Sequence, residues 1–585
     1  MTLLLAERLP VANRDWTQLM PYRAPVSETC FLLDHVVGFS AVQATERFAE
    51  ATSDTVQAVL TEAGKMCEEV MAPVQRNGDL HPAVLENGVV RCSPGYAEAY
   101  RAIAEGGWVA ITADPEYGGM GLPLTVATAV NEMMSGACLA LQLNPLLTQG
   151  QIEALEHHAD EEMKALYLPR LISGEWAGTM NLTEPQAGSD VGALSSRATD
   201  NGDGTYAVTG QKIYISWGDN DFVENICHLV LARLPDAPAG TKGISLFMVP
   251  KFIPDENGNP GVANSLKVVS LEHKMGLHGS PTCVMSYEGA TGWMVGEPGG
   301  GMKAMFTMMN NARLGVGGEG VGAAEGAYQH ALAFANERKQ GKNPYDTIIG
   351  HADVRRMLAT MKAEIFTARA IALDCAVAID MGRATGEAEW QARAAFLTPI
   401  AKAFGTDTGC EVSSMGVQVH GGMGYVEESG AAQYYRDVRV TAIYEGTNGI
   451  QAMDMVGRKL MDGGEVAGRL LDEIEAEAEA AKAALPDLAE AVWQAAETLR
   501  ETTEWLVARP MPERFGTAVP YLRAFARVLG GHYHLRAAMA DRDGAHGRLA
   551  RFYITRLLPE HTGLLAHVRA EDAALMAISP DDLAA

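Results

Sequence analysis

The sequence predicts an α+β protein of several domains, in which a helical segment is followed by a β-rich segment and then by helices again. Apolar residues recur three and four positions apart in 39–169, β-branched and alternating runs fill 178–287, and the helical spacing then returns. A chain of 585 residues is also too long for a single core. We expect five parts, namely an N-terminal arm, three domains and an additional C-terminal helical domain: 1–38, 39–169, 170–290, 291–460 and 461–585.

The first helical segment contains VQAVLTEAGKMCEEVMAPV and YAEAYRAIAEGGW, whose apolar residues fall on one helical face. Glycines and prolines break the spacing at 114–123, which predicts a loop. The opening MTLLLAERLPVANRDW has only residues 3–6 as an apolar run, and no later stretch has roughly 20 uninterrupted apolar residues. We therefore expect neither a secretion signal nor a membrane span.

In the β-rich segment, the runs YAVTGQKIYIS, HLVLARL and GISLFMVP are separated by NGDG, PDAPAG and DENGNPG, which predicts strands joined by turns. Helical spacing returns with MKAMFTMMNNARL and is interrupted at HGGMGY and IYEGTNG. The tail, 461–585, is rich in alanine. Its Pro486, Pro510 and Pro520 are expected to separate helices.

Charge excludes one class of partner. The chain has a formal net charge of −27 and a pI of about 5.0, and the tail alone has 13 basic and 20 acidic residues. Such a surface offers a nucleic-acid backbone nothing to bind, which argues against DNA or RNA as the main partner. The eight cysteines form no CxxC pair, which is typical of buried thiols in a reducing cytoplasm.

Two patterns resemble sites but are better explained as structure. The segment GVGGEG (315–320) matches the GxGxxG dinucleotide fingerprint, but helical residues precede it where that fingerprint needs a strand. We interpret its glycines as a close contact between helices. His273 and His278 in EHKMGLHG suggest a metal pair, yet no third ligand stands at a recognisable spacing. We predict no metal site.

Two segments around the β-rich region offer groups for a planar ring. MNLTEPQAGSDVGALSS (180–196) supplies the hydroxyls of Thr183 and Ser189 in a loop constrained by proline and glycine, although an ordinary turn fits it as well. In GQKIYISWGDND (210–221), alternation places Tyr214 and Ser216 on one face of a strand. An aromatic ring beside a hydroxyl suits a flavin or a routine strand pair.

Three segments of the second helical region carry further candidates. ERKQG (337–341) ends a helix with cations that complement its dipole or hold a phosphate. QVHGGMGY (418–425) has glycines that let the backbone approach a ligand closely. IYEGTNGIQ places Glu445 in apolar surroundings. A carboxylate there is desolvated and more basic, as a base acting on a weak carbon acid must be.

Together and in this order, these segments resemble the acyl-CoA dehydrogenase family, in which TEPxAGSD, a GxKxxIS-type strand, an RxxG-type helix end, a QxxGGxGY loop and YEGT follow one another. The resemblance covers about 39–458. It implies an N-terminal helical domain, a β-barrel-like middle domain and a four-helix-bundle domain, which enclose FAD and a thioester between them. Longer members carry a further helical tail and form dimers.

The resemblance assigns FAD-binding roles by match to these motifs: Met180, Leu182, Thr183, Ser189, Tyr214, Ser216, Arg338, Gln340, Gln418, Gly421, Gly422 and Thr447. Tyr214, where many members have Trp, is expected to pack on the isoalloxazine ring, and Ser216 to lie near its N5 region. Five of these FAD-binding residues are expected to hold the FAD pyrophosphate of a neighbouring subunit: Arg338, Gln340, Gln418, Gly421 and Gly422. This implies an obligate oligomer, and we expect a homodimer.

For the reaction, the resemblance makes Glu445 the base that removes the α-proton of an acyl-CoA thioester, while FAD accepts a hydride from the β-carbon at N5. The substrate-binding residues that it implies are Ser189, Asn310, Arg313 and Gly446. Electrons are then expected to leave through an electron-transfer flavoprotein.

Within the family, PYRAPV (21–26), EHKMGLHGSPTC (272–283) and YEGTNGIQAMDMVGRKL (444–460) most resemble the branch that oxidises 3-methylmercaptopropionyl-CoA in bacterial dimethylsulfoniopropionate breakdown. A medium- or long-chain fatty acyl-CoA dehydrogenase fits the tailed architecture equally, and an acyl-CoA oxidase shares much of it. DNA-binding alkylation-response flavoproteins are also relatives, but the acidic charge disfavours that function. Glu445 and the loop glycines disfavour a flavin-free scaffold.

Overall fold

The computed structural model of the protein describes residues 22–570 and 572–585, without the side chains of 310, 572 and 573. Most of the predicted N-terminal arm, including the first residue of PYRAPV, therefore lies outside the described residues. In the rest of the chain, helices come first, a large sheet follows, and helices return and continue through the tail. The predicted fold class is confirmed.

Between residue 22 and the large sheet lie seven helices, α1 to α7: Val26–His35, Ser40–Gln43, Ser53–Met66, Ala72–Leu80, Tyr96–Glu105, Leu124–His158 and Glu161–Ile172. A hairpin of β1 (Val84–Glu86) and β2 (Val89–Arg91) interrupts them, which the helical prediction for this segment did not include. Asn87 and Gly88 join its strands with φ values of 52° and 79°. An Asn-Gly pair is a strong hairpin signal, because both turn residues need a left-handed backbone.

The long helix α6 is two helices that fold back on each other. Its backbone leaves the helical conformation at Cys138, where φ is −159° and ψ is 87°. Asn131 and Gln149 would lie about 27 Å apart in a straight helix, yet the Asn131 amide donates to Gln149 Oε1 at 2.8 Å. Among the described residues, α6 alone has the length and apolar composition of a membrane span, and its apolar stretch is wholly buried inside the protein.

The middle region contains nine strands, β3 to β11: Trp176–Asn181, Arg197–Asp200, Tyr206–Ser216, Asn225–Arg233, Ile244–Pro250, Phe252–Pro254, Pro260–Ala263, Leu266–Leu271 and Thr282–Val295. Seven form one sheet in the order β10-β11-β5-β4-β6-β3, and β7 pairs with both β11 and β6. The strands β11, β5, β4, β6 and β7 therefore close into a ring. Apolar side chains such as Val208, Phe247 and Met285 fill its interior, so the region is barrel-like.

Five helices, α8 to α12, form the second helical region: Gly301–Glu337, Ala352–Thr385, Ala388–His420, Ala431–Val438 and Asn448–Asp454. The GVGGEG segment lies inside α8 with no strand before it. A Cβ added at Gly317 would lie 2.7 Å from the Ala401 carbonyl oxygen, and one at Gly320 would lie 2.3 Å from that of Gly405. The glycines thus let α8 and α10 pack backbone to backbone, as we interpreted.

The tail consists of eight helices, α13 to α20: Glu465–Ala481, Pro486–Val507, Met511–Gly516, Ala518–Ala540, Ala545–Arg556, Glu560–Val568, Asp572–Met576 and Pro580–Ala584. Pro486 begins α14, Pro510 precedes α15 and Pro520 lies in the first turn of α16, so all three prolines separate helices. Arg527 of α16 donates to Glu364 of α9 at 2.6 Å, and both side chains are buried. One apolar core runs through the helical regions and the tail.

Candidate active site

Glu445 lies in the loop before α12 on a strained backbone, with a φ of 56°. A left-handed conformation at a non-glycine residue persists only where its surroundings hold it. Here Arg313 Nε and Gln451 Nε2 both donate to the Glu445 carbonyl oxygen, at 3.4 and 3.2 Å. Arg313 comes from α8 and Gln451 from α12, so the loop is held from both sides. The structure thereby brings together Glu445 and Arg313, as the sequence predicted.

The two residues after Glu445 complete the loop. Gly446 has a φ of 87°, and a Cβ there would lie 2.8 Å from Gln451 Nε2, so the position needs glycine on both counts. The Thr447 side chain caps α12 by accepting a hydrogen bond from the Ile450 backbone N–H at 3.3 Å. Both residues therefore set the path of the chain at Glu445.

The Glu445 carboxyl is a weak acid in this setting. Burial raises its pKa to about 7, against the nearby cations Arg313 and Lys402, which lower it. Lys402 is itself buried on α10, where its Nζ donates to Asn448 Oδ1 at 2.9 Å. Burial in turn lowers the pKa of Lys402 to about 8. The surroundings of Glu445 therefore contain two cations, of which sequence reasoning found Arg313 and missed Lys402.

Sequence reasoning also missed Glu319. This α8 residue is fully buried and accepts a hydrogen bond from the hydroxyl of Tyr444, the neighbour of Glu445. One signal was available, because Glu319 is an acidic residue inside the apolar and glycine-rich run GVGGEGVG. A charged residue in a stretch that otherwise packs tightly is uncommon without a partner or a role.

The two segments of the predicted flavin-ring site are joined by a buried ion pair. Lys212 Nζ, on β5, donates to Glu184 Oε1 at 2.8 Å and to the Leu182 carbonyl oxygen at 2.9 Å. The Ile213 N–H donates to the Thr183 carbonyl oxygen at 2.9 Å. Burial acts to raise the pKa of Glu184, but Lys212 and the local N–H and hydroxyl donors outweigh it and bring the pKa to about 2. These contacts lock the TEPQAGSD loop to the strand.

Tyr214 presents its ring to the surface of this joined segment. The residue is 61% exposed, whereas Ile215 and Lys212 are both buried, so a bulge between Lys212 and Ile215 interrupts the regular alternation. The φ of 59° at Tyr214 departs from a regular strand, and Trp217 three residues later has a φ of 55°. Trp217 is fully buried and donates to the Ala140 carbonyl oxygen at 3.1 Å, which anchors this bend to α6. Ser216 and the predicted residues at 180, 182 and 183 are all partly exposed.

The predicted phosphate-binding residues lie together at another end of the molecule. The rings of Phe334 on α8 and His420 on α10 are 4.5 Å apart, so α10 ends beside the last turn of α8. Arg338 and Gln340 follow α8, and Gln418, Gly421 and Gly422 stand at the end of α10. Gly421 has a φ of 58°, and a Cβ at Gly421 or Gly422 would meet no atom within 4 Å. The backbone is thus open to a ligand.

One subunit does not bring its predicted phosphate-binding residues to Glu445. Arg313 contacts the Glu445 loop, and Arg338, 25 residues later, directly follows the end of α8. At 1.5 Å per residue, that separation is about 37 Å. The predicted FAD residues, apart from Thr447 beside Glu445, therefore form two sets, a ring-side set on and around β5 and a phosphate-side set at the ends of α8 and α10.

Ser189, Asn310 and His278 are further residues that the sequence analysis singled out. Ser189 is exposed in the loop after β3, and Asn310 lies on α8, where its side chain is not described. His278 is occupied, because its Nδ1 pairs with Asp79 at 2.9 Å and its Nε2 contacts the Lys274 carbonyl oxygen at 3.0 Å. It joins the middle region to α4.

Comparison with known proteins identifies the family that has this architecture. Models of the acyl-CoA dehydrogenase N-terminal, middle and C-terminal domains match residues 53–175, 179–290 and 299–461 in turn. The chain belongs to the acyl-CoA dehydrogenase family. It is accordingly an oxidoreductase that acts on CH–CH donors. A model described as acetyl-CoA dehydrogenase C-terminal like matches 470–579 of this acyl-CoA dehydrogenase.

Among its relatives, the 3-methylmercaptopropionyl-CoA dehydrogenase of Ruegeria pomeroyi is 44% identical over 551 residues, which cover 91% of this chain and 94% of that one. The butyryl-CoA dehydrogenase of Syntrophomonas wolfei is 34% identical over 569 residues, covering 89% and 92%. The solved structure of Caenorhabditis elegans ACDH-11 in complex with C11-CoA superposes with a TM-score of 0.79 at 20% identity, covering 92% of each chain. That likeness shows the fold.

Members of the family are flavoproteins that generally carry FAD. Two features of this acyl-CoA dehydrogenase fit that cofactor. The exposed ring of Tyr214 suits stacking on a flat ring system, and the open backbone at Gly421 and Gly422 suits close approach by a phosphate.

Proposed function

We propose that this enzyme removes one hydrogen from each of the α- and β-carbons of an acyl-CoA thioester, with Glu445 as the base that takes the α-proton. The observation that carries the proposal is the state of Glu445. Its half-buried carboxyl has a pKa raised to about 7 and stands on a strained backbone held by Arg313 and Gln451. A base of that pKa is ionised near neutral pH and still binds a proton well.

The chain's own groups activate the substrate. An α C–H beside a thioester is a poor acid, so the thioester oxygen needs a hydrogen-bond donor as negative charge develops on it. The backbone N–H of Glu445 is the proposed donor, while Arg313 and Lys402 favour the ionised form of the Glu445 carboxyl. Bound FAD would accept the β-hydride at N5 and add a ribityl hydroxyl as a second donor.

The FAD site is proposed to be shared between the two subunits of a homodimer. Arg338 of the phosphate-side set lies about 37 Å along the direction of α8 from Arg313, which contacts the Glu445 loop. This separation supports a site completed by the phosphate-side set of a neighbour. Electrons would then pass to an electron-transfer flavoprotein, as the family resemblance implies.

The proposed substrate is 3-methylmercaptopropionyl-CoA. Support comes from the Ruegeria pomeroyi relative of that name, which matches nearly the whole chain, together with the branch-like segments of the sequence. The runner-up is a fatty acyl-CoA of medium or long chain. The Syntrophomonas wolfei relative is named for butyryl-CoA, so a short straight chain belongs in the test as well.

The substrate proposal is tested by comparing kcat/KM for 3-methylmercaptopropionyl-CoA, butyryl-CoA and palmitoyl-CoA under anaerobic conditions with a dye acceptor. We expect the thioether substrate to have the highest value. A tenfold advantage for palmitoyl-CoA, about 1.4 kcal/mol in transition-state binding, would move the enzyme to the fatty-acid branch. Dye-independent turnover with oxygen would indicate an oxidase.

The role of Glu445 is tested with Glu445→Gln, which keeps the shape of the side chain and removes its basicity. Loss of a general base typically costs about 10²–10⁴-fold, and we expect the upper end. The measurement is anaerobic stopped-flow bleaching of the flavin with saturating acyl-CoA. FAD should stay bound, because the phosphate-side residues are unchanged.

A matched control is Glu162→Gln, which changes an exposed carboxyl on α7. It should bleach at the wild-type rate. If Glu445→Gln also bleached within a fewfold of the wild-type rate, another residue would have to be the base.

A further inference from the structure

A second carboxyl, that of Glu319, reaches the catalytic loop and has no part in the mechanism above. Its Oε2 accepts the hydroxyl of Tyr444, and its Oε1 has no hydrogen-bond partner among the described residues. The Glu319 residue is fully buried. Arg313 and Gln451 hold the loop through the carbonyl oxygen of Glu445, so Glu319 adds a third point of attachment one residue earlier.

The charged groups around Glu319 come from two other elements and from its own helix. The catalytic loop brings Tyr444 and Glu445, and α10 brings Lys402. On α8, Arg313 lies nearly two turns earlier and interacts with both Glu445 and Lys402. Glu319, Glu445, Lys402 and Arg313 therefore share this part of the interior, and Asp407 of α10 also interacts with Lys402.

The helix α6 presents no charge at this level. A Cβ added at Gly315 of α8 would touch Leu146 of α6 at 2.6 Å. Glu319 and Gln142 each lie one turn beyond that contact, because the two helices run antiparallel there. Gln142 is fully buried, and neither of its amide atoms has a partner among the described residues.

The two carboxyls differ in the groups that act on them. Burial outweighs the Tyr444 hydrogen bond and, with repulsion from Glu445, brings the pKa of Glu319 to about 8. Glu445 has a pKa of about 7, because Arg313 and Lys402 oppose the effect of its burial. Glu445 therefore ionises first, and its charge helps to keep the proton on Glu319.

We infer that Glu319 is a positioning residue for the reaction, whose neutral carboxyl anchors Tyr444, and through it Glu445, without adding a second negative charge to the site. The inference rests on the proposed role of Glu445 as the base. Once Glu319 loses its proton to solvent, its charge opposes the negative charge that develops on the thioester oxygen.

The sign of the pH dependence follows from this order. The rate of flavin reduction rises with pH as Glu445 ionises near pH 7, and it falls again as Glu319 ionises near pH 8. The two values belong to an interacting pair, so the profile is a narrow bell.

The test is the pH profile of anaerobic flavin bleaching, from pH 6 to about 9.5, in the FAD-loaded enzyme with saturating 3-methylmercaptopropionyl-CoA or butyryl-CoA. Glu319→Gln keeps an acceptor for Tyr444 and cannot ionise. We expect it to bleach within a fewfold of wild type at pH 7 and to lose the decline above pH 8. Glu319→Leu removes the acceptor, and we expect it to be at least about tenfold slower across the range.

Tyr444→Phe provides a second measurement if a Glu319 variant does not fold. The Tyr444 hydrogen bond lowers the pKa of Glu319, so its loss should move the decline to higher pH. Asp380→Asn on α9 is a control that removes a buried carboxyl away from the Glu445 loop, since Asp380 accepts a hydrogen bond from Thr125 at 2.7 Å. This variant should leave the pH profile of bleaching unchanged.

The inference is overturned if Glu319→Gln retains the wild-type decline, or if Tyr444→Phe leaves it in place or lowers its pH. If no acyl-CoA bleached the flavin of the wild-type enzyme at any pH, the proposed function would instead be overturned. The two failures are therefore separate.

Discussion

At the scale of single residues, the ion pair of Lys212 and Glu184 determines how the ring-side loop is held. Both side chains are almost fully buried, and the pair lies between the TEPQAGSD loop and β5. Because the pKa of Glu184 is depressed, its contribution to stability is present above the ordinary pKa of a glutamate. It is lost as the pH falls toward about 2.

Lys212→Met should destabilise the protein by leaving Glu184 buried without its cation. Breaking a buried pair costs about 3–5 kcal/mol, and we expect the lower end because the hydroxyls of Ser195 and Ser196 still donate to Glu184. The measurement is the thermal midpoint of the FAD-loaded enzyme. The double variant Glu184→Gln with Lys212→Met should show a smaller decrease in thermal midpoint than Lys212→Met alone. If the effects of the two single substitutions simply added, the coupling between the two side chains would be contradicted.

Motif matching located Glu445 and Arg313, and the structure brings them together as expected. It did not find Lys402 or Glu319, because their proximity to Glu445 depends on how α8 and α10 pack against the loop. Residue 402 carries no local pattern of its own, and the glycine-rich run around residue 319 does not indicate which groups its carboxyl meets. The strain at Glu445 is likewise a property of the folded loop, since a φ of 56° is set by its hydrogen bonds.

At the scale of elements, the contact of α8 with α10 depends on residues that have no side chain. Gly320→Ala would place a Cβ against the Gly405 carbonyl oxygen, whereas Gly318 has no atom within 4 Å of its added Cβ. We expect Gly320→Ala to cost about 1–3 kcal/mol through overpacking. Gly318→Ala should be neutral or stabilising by up to about 1 kcal/mol, because alanine favours helix.

Thermal melting of the two variants checks this prediction, since they lie two residues apart on one helix and differ in what they face. Equal effects would show that the glycines do not serve the contact.

The helices also show a limit of prediction from sequence. Periodicity predicted the helices and their glycine contact, but the reversal of α6 at Cys138 has neither proline nor glycine at the break, so only tertiary packing reveals it.

At the scale of the whole molecule, the order of helical and β regions followed from the sequence because each region keeps its own spacing of apolar residues. The spacing of apolar residues alone did not predict the closure of five strands into a ring, because β7 pairs both with β6, its neighbour in sequence, and with the distant strand β11. The distance between the Glu445 loop and the phosphate-side set is also visible only in the fold, since α8 runs unbroken from Arg313 to the residue before Arg338.

FAD retention should depend on protein concentration. With a shared site, dilution below the dimer dissociation constant removes the phosphate-side set and releases the cofactor. Gel filtration with absorbance at flavin wavelengths measures both events, which should coincide. The Cβ added by Gly422→Ala has no atom of its own subunit within 4 Å. The variant should therefore weaken FAD retention without changing the thermal midpoint of the apoprotein. A monomer that keeps its yellow colour would contradict the shared site.

The length of α8 has a genetic consequence. Each site would draw its base from one subunit and its phosphate contacts from the other, so two alleles damaged in different sets can complement each other. In a mixed dimer of Glu445→Gln and Arg338→Glu, one site inherits both lesions and the other inherits none. Random assembly of equal amounts would then restore about a quarter of all sites. Two individually inactive gene products would thus make a working enzyme when expressed together.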